Sequence, residues 1–183
     1  MKSSECTLFS GGAKGAEEEF GAQAEKGGVE EVCFTFEGHS IERDRGLHFL
    51  TNEELKKGEI SLAYVSKLMN RSYNQGPKLK KILQSIWHQI NNAEEVFVIG
   101  QILDDGTVKG GTGWGAEFAK LCNKPLCVFD QGKKEWFKWS QDRWEKVTPK
   151  ISKKHFSGGG TRFLSPEGRR AIADLYAVSF KER

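Results

Sequence analysis

Three segments of the chain put glycines between a strand-like run and the start of a helix: LFSGGAKGAEEEF (8–20), VKGGTGWGAEF (108–118) and HFSGGGTRFLSPEG (155–168). Such a junction can bind an anion, because a missing Cβ lets backbone N–H groups approach phosphate oxygens while the helix N-terminus adds partial positive charge. Each segment alone is also the pattern of a tight turn. In a parallel sheet all three leave the carboxyl edge, so they would converge on one crevice, where open α/β sheets bind ligands. The candidate ligand-binding residues are Gly11, Gly12, Ala13, Lys14 and Gly15 of the first loop, Gly110, Gly111, Thr112, Gly113 and Trp114 of the second, and Gly158, Gly159, Gly160, Thr161 and Arg162 of the third. Arg162 and Lys14 are the cations among them, the first suited to bidentate contact with phosphate oxygens and the second a point charge. No loop matches GxxxxGK[ST] or GxGxxG, which argues against an ATP-hydrolysing P-loop and a dinucleotide fingerprint.

The elements that must hold these loops are read from periodicity. CTLF (6–9), EVCFTF (31–36), EVFVIG (95–100) and PLCVFD (125–130) are β-branched or aromatic and nearly continuously apolar, the pattern of buried parallel strands. Leu79, Ile82, Leu83, Ile86, Trp87 and Ile90 recur at helical spacing and predict a helix starting after Pro77 with one stripe on a core. Leu62, Val65, Leu68 and Met69 predict a second, shorter one, and Asn70 and Arg71 at its end either reach the crevice or cap the helix. Strands alternating with helices predict an α/β domain, a mostly parallel sheet flanked by helices. Residues 134–147, KEWFKWSQDRWEKV, predict an antiparallel hairpin around the polar turn SQDR, in which Trp136, Trp139 and Trp144 form either a cross-strand cluster or a platform for a ring ligand. The longest polar connection, 36–58, is read as a lid or a carrier of binding residues.

The two ends of the chain belong together. Ser165 suits a helix N-cap and Pro166 the first helical position, with Ala171, Ile172, Leu175 and Tyr176 as the apolar stripe. The chain thus ends on a strand, a glycine loop and a helix, and begins on a bare strand. Joining end to beginning completes one β-loop-α-β unit, so a circularly permuted Rossmann-like fold is expected, with the C-terminal strand 155–157 beside the N-terminal strand 6–9.

Size and composition bound the rest. With 183 residues, 37% of them hydrophobic, the chain is expected to bury one core as a single domain over 1–183. Its 28 Lys and Arg against 25 Asp and Glu leave a net charge of +3, spread along the chain rather than gathered into a face, which favours a small phosphate-bearing ligand over nucleic acid. Apolar runs such as VFVI (96–99) are too short for a membrane span and MKSSECTLFSGG lacks a signal-peptide core, so a soluble cytoplasmic protein with no membrane partner is expected. His39, His48, His88 and His155 never stand at i, i+4, and no metal site is expected. Cys6, Cys33, Cys122 and Cys127 form no CxxC pair and read as buried thiols.

The three loops also resemble a known family. SGGAKGAE is similar to the GGA-x-GAD signature of the SLOG superfamily, which includes the lysine-decarboxylase-like LOG proteins and YpsA, with Glu17 where the signature usually carries Asp. GGTGWGAEFAKLCNKPLCVFDQ followed by WFKW resembles the second glycine motif of the circularly permuted YpsA branch, whose members are named as molybdenum cofactor carriers. GGGTRFLSPEG is similar to the G-[ST]-R loop that closes permuted members, so the resemblance covers nearly the whole chain in permuted order. It implies a nucleotide or nucleotide-derived ligand in the crevice, with molybdenum cofactor as one candidate, and a homo-oligomer, a dimer favoured.

Glu117 lies one turn into the helix after GGTGWG, where the helix dipole alone favours an acid. The resemblance adds a second role. LOG-type phosphoribohydrolases and nucleoside deoxyribosyltransferases carry a glutamate after a Gly-rich loop, and that carboxylate faces the sugar anomeric carbon, where it can stabilise an oxocarbenium-like centre. Here Glu117 stands one residue out of register with the transferase pattern, and the two consecutive glutamates of the LOG pattern are absent. Ligand binding is the expectation, and N-glycoside cleavage with Glu117 as catalytic residue is the alternative.

Overall fold

The computed structural model describes residues 1–73 and 76–180. Strands β1 (Thr7–Ser10), β2 (Glu30–Thr35), β4 (Glu95–Gly100), β5 (Leu126–Asp130) and β8 (His155–Gly160) form where strands are predicted, and β3 (Leu47–Phe49), β6 (Glu135–Ser140) and β7 (Arg143–Lys146) complete one sheet. Its order is β3-β2-β1-β8-β4-β5-β6-β7. All pairings from β3 to β5 are parallel, and β6 runs antiparallel to both its neighbours. The terminal strands are neighbours: β8 pairs with β1 from Thr7↔His155 to Phe9↔Ser157 and with β4 on its other side.

Helices cover both faces of a Rossmann-like α/β sheet. Helices α1 (Ala16–Gly27) and α6 (Pro166–Ser179) lie on one face, α3 (Glu59–Leu68), α4 (Pro77–Asn92) and α5 (Thr112–Leu121) on the other, and α2 (Asn52–Lys56) packs against α4. The alternation of side chains along β4 divides the core. Phe97 and Ile99 join Leu8, Phe20, Phe156, Ile172 and Leu175, whereas Val96 and Val98 join Leu62, Val65, Leu83, Ile90 and Phe118. Each such buried side chain contributes roughly 1.5–3 kcal/mol. At the start of α6, Ser165 Oγ accepts the Gly168 N–H at 3.0 Å with Pro166 in the first turn, as its residue types predict.

Several expectations change. The 36–58 connection contains β3 and α2, the latter closed by a Thr51/Glu54 capping box. β3 is a three-residue edge strand with every side chain exposed, so no buried-strand pattern marks it. Leu68 is exposed rather than on the core stripe, and Cys122, the C-cap of α5, is exposed while Cys6 and Cys33 are buried. In the hairpin, Gln141 and Asp142 both adopt positive φ, 49° and 58°, as two-residue hairpin turns require. Trp139 and Trp144 pair across it with ring centroids 5.0 Å apart, and Trp136 sets its edge against Phe97 and Phe129. Trp139 and Trp144 thus pack on each other within the chain. Among the described residues no helix is long and apolar enough to cross a membrane.

Candidate functional site

The carboxyl ends of β1, β8 and β4 open into a crevice of about 620 Å³. Ala13 reaches it from the first loop, Lys109, Gly110, Gly111 and Thr112 from the second, and Gly160, Thr161, Arg162 and Phe163 from the third. Gln131, just past β5, and His39 complete the rim, and α4 supplies a wall of Leu79, Ile82, Ser85, Ile86 and Gln89. Half of the predicted core stripe of α4 therefore faces this crevice. A second cavity of about 360 Å³, between β6 and α6, is lined by Trp136, Pro149, Arg170 and Asp174 and receives none of the three loops.

The loops are not equivalent. In the second, open space lies over Gly110 and Gly111. Gly113 and Trp114 turn inward instead: Gly113 packs against the Val108 carbonyl and Arg71, and Trp114, 4% exposed, belongs to the α3/α4/α5 core beside Tyr73. Arg71 pins this loop from behind, donating to the carbonyls of Val108 at 2.9 Å and Gly110 at 3.2 Å and to Thr107 Oγ1 at 2.9 Å. Asp130 fixes the loop's root, accepting from the N–H groups of Ile102 at 2.8 Å and of Gly132 and Lys133 at 2.9 Å. In the third loop, Gln131 accepts the Ser165 N–H at 2.7 Å and donates to the Phe163 carbonyl at 3.1 Å, leaving Arg162 exposed at the rim and the Phe163 side chain 87% exposed.

The first loop faces the protein more than the crevice. Gly12 packs on Cys33, and Gly15, at φ 97°, lies so close to the third loop that a Cβ there would stand 2.5 Å from the Thr161 carbonyl oxygen. Three of its donors are taken: Ala13 N–H by Glu17 at 3.0 Å, Gly15 N–H by Glu18 at 3.3 Å and Ala16 N–H by the Thr161 carbonyl at 3.0 Å. Lys14 is exposed and does not line the crevice. From this segment, Ala13 and the carboxyl group that follows it line the crevice.

That carboxyl is Glu17, 9% exposed, at the deep end of the crevice beside Gln89. Burial pushes its pKa up to about 7, with the Ala13 N–H, the Arg162 charge, Gln89 and the Gly11 N–H favouring the charged form. His39, stacked on Phe36 and bonded to Thr35 Oγ1, is held down to about 4, first by burial and then by Arg162 and Lys78, so it faces the crevice as a neutral imidazole near pH 7. Arg162 and Lys109 are the cations lining the crevice among the described residues.

Glu117 is not brought to this place. Its carboxylate meets Lys120 Nζ at 2.6 Å, and that ammonium also donates to the Gly106 carbonyl and lies 3.7 Å from the Trp139 ring centroid. Glu17 and Glu117 share the same local pattern, a glutamate in the first turns after glycines, and of the two Glu17 lines the crevice. Gln89 and Phe163 carried no signal, while His39 lies in the polar connection expected to carry binding residues. Among the described residues no group of three His, Cys, Asp or Glu side chains is placed to hold a metal ion. Compared with protein-family models, curated proteins and solved structures, the chain matches none.

Proposed function

We propose that the protein binds a nucleotide or nucleotide-derived ligand through its phosphate in this crevice, without turnover. The observation that carries the reading is the convergence of Lys109–Thr112, at the N-terminus of α5, with Arg162 at the carboxyl edge of the sheet. Open glycine backbone, a helix N-terminus and two cations form a setting for phosphate oxygens. Phe163 at the rim offers a ring face on which a base can stack. Membership of the permuted YpsA-like branch of the SLOG superfamily is part of the same proposal, supported by the order of the three motifs and by β8 standing between β1 and β4. The lining offers nothing that singles out a molybdenum cofactor's pterin over a nucleobase, so the ligand is held at the nucleotide class. N-glycoside cleavage through Glu117 has no support from the crevice, which that side chain does not line.

Thermal unfolding across a panel of nucleoside mono- and diphosphates tests the reading. A ligand at about 100 times its dissociation constant stabilises by about 2.7 kcal/mol. A panel without any shift removes it. Self-association as a cytoplasmic dimer belongs to the same proposal, with Ile60, Tyr64 and Leu68, exposed on successive turns of α3, as its apolar patch. A monomer in sedimentation velocity at high concentration overturns that part.

A further inference from the structure

The deep end of the crevice differs chemically from its cationic rim, and the three glycines of β8 show how. A Cβ on Gly158 would stand 2.5 Å from the Phe20 ring, and one on Gly160 would run into the Ile99 backbone. Packing requires both glycines. Gly159 has no such close neighbour: the atoms nearest its Cβ would be Glu17 Oε1 at 3.7 Å and Gln89 Oε1 and Glu17 Cγ at 3.9 Å, ordinary contact distances. The bare backbone there leaves a space bounded by two side-chain oxygens.

Those oxygens are fixed by their partners. Glu17 Oε2 accepts the Ala13 N–H at 3.0 Å, and Gln89 Nε2 lies on that same side, both atoms crowding the face of Gly11. A carboxamide beside a carboxylate turns its NH2 toward it, because two facing oxygens repel. The remaining oxygens, Glu17 Oε1 and Gln89 Oε1, then share the space over Gly159. Both residues are buried, Gln89 at 3% exposure, and the recess they line with Ser157, Thr112 and the apolar Ile86, Ile90 and Val98 holds about 20 Å³. That is room for one water-sized group. Two acceptor oxygens that face one water-sized space are complemented by a donor, so the group that fits is a donor.

Resting on the nucleotide reading above, we propose that Glu17 and Gln89 form a subsite over Gly159 for a single uncharged hydrogen-bond donor of the ligand, a sugar hydroxyl or an exocyclic amine. The acceptor oxygens exclude the phosphate from this end and orient the ligand with its phosphate at Arg162 and Lys109.

Calorimetric titration of the wild-type protein with AMP, 2′-deoxy-AMP, 3′-deoxy-AMP, IMP and inorganic pyrophosphate tests the subsite and identifies the donor. One of the three analogues is expected to bind at least about tenfold more weakly than AMP: a deoxy analogue if the donor is a hydroxyl, IMP if it is the amine. Gly159→Ala, whose methyl fits without strain and fills the recess, is expected to melt like wild type and to bind AMP at least about tenfold more weakly. AMP and all three analogues binding within twofold of one another overturns the subsite and leaves the phosphate reading standing, as does a well-folded Gly159→Ala with wild-type affinity. Failure of both AMP and pyrophosphate to bind overturns the phosphate reading and this inference with it.

Discussion

Lys120 Nζ stands 2.6 Å from Glu117 Oε1, and the same ammonium lies over Trp139 and near Trp144, so one side chain ties α5 to the β6–β7 hairpin. The side chains of the pair are only 11% and 13% exposed. Glu117→Gln keeps a hydrogen-bond acceptor but leaves the ammonium without its counter-charge. Chemical denaturation is expected to show a loss of about 1–2 kcal/mol, with nucleotide affinity unchanged within twofold. Loss of binding without loss of stability would restore Glu117 to the site.

Glu17 should reverse that pattern. Its carboxyl is raised in the folded state to about 7 from an ordinary value of 4.5, first by burial. Below about 4.5 both folded and unfolded chains hold the proton and no penalty exists. Between about 4.5 and 7 the unfolded chain ionises first, so stability falls as pH rises, and above about 7 the full penalty applies. Glu17→Gln removes it. Unfolding free energy should rise over wild type by on the order of 3 kcal/mol at pH 8 and change little at pH 4. Equal differences at both pH values would contradict the burial assigned to this group.

Arg162 sits exposed at the rim, so its contribution to phosphate binding should be electrostatic and screened. Arg162→Ala is expected to weaken binding of AMP about fivefold at low ionic strength, with the difference shrinking as salt is raised. A salt-independent loss would point to a steric rather than a charge role. Lys14→Ala, at a side chain that does not line the crevice, should change affinity less than twofold.

The join between the first and third loops rests on Gly15. Its φ of 97° and the Thr161 carbonyl in front of it leave no place for a side chain. Gly15→Ala should cost more than about 2 kcal/mol in unfolding free energy and speed amide exchange at Ala16, which donates to that carbonyl. An unperturbed melting curve would mean that the two loops are not in register as described.

Much of this molecule is written locally. Apolar runs set β1, β2, β4 and β5, Pro77 and the 3–4 spacing set α4, and Ser165–Pro166 set the start of α6, because strand and helix periods and caps depend on residues a few positions apart. The strand and loop at the end of the chain likewise anticipated the pairing of β8 with β1. What each loop faces is not local. Glycines at 11, 12 and 15 serve packing while those at 110 and 111 border open space, and the difference lies in Gln89, Cys33 and Thr161, far away in the chain. Trp114 looks like a loop residue in sequence and is core because α3 and α4 close over it. Glu17 and Glu117 follow glycines in the same way, yet one is buried at the crevice and the other is neutralised by Lys120. Only the packing of distant elements sets which carboxylate loses its water and which finds a cation, and desolvation and counter-charge decide what a carboxylate can do.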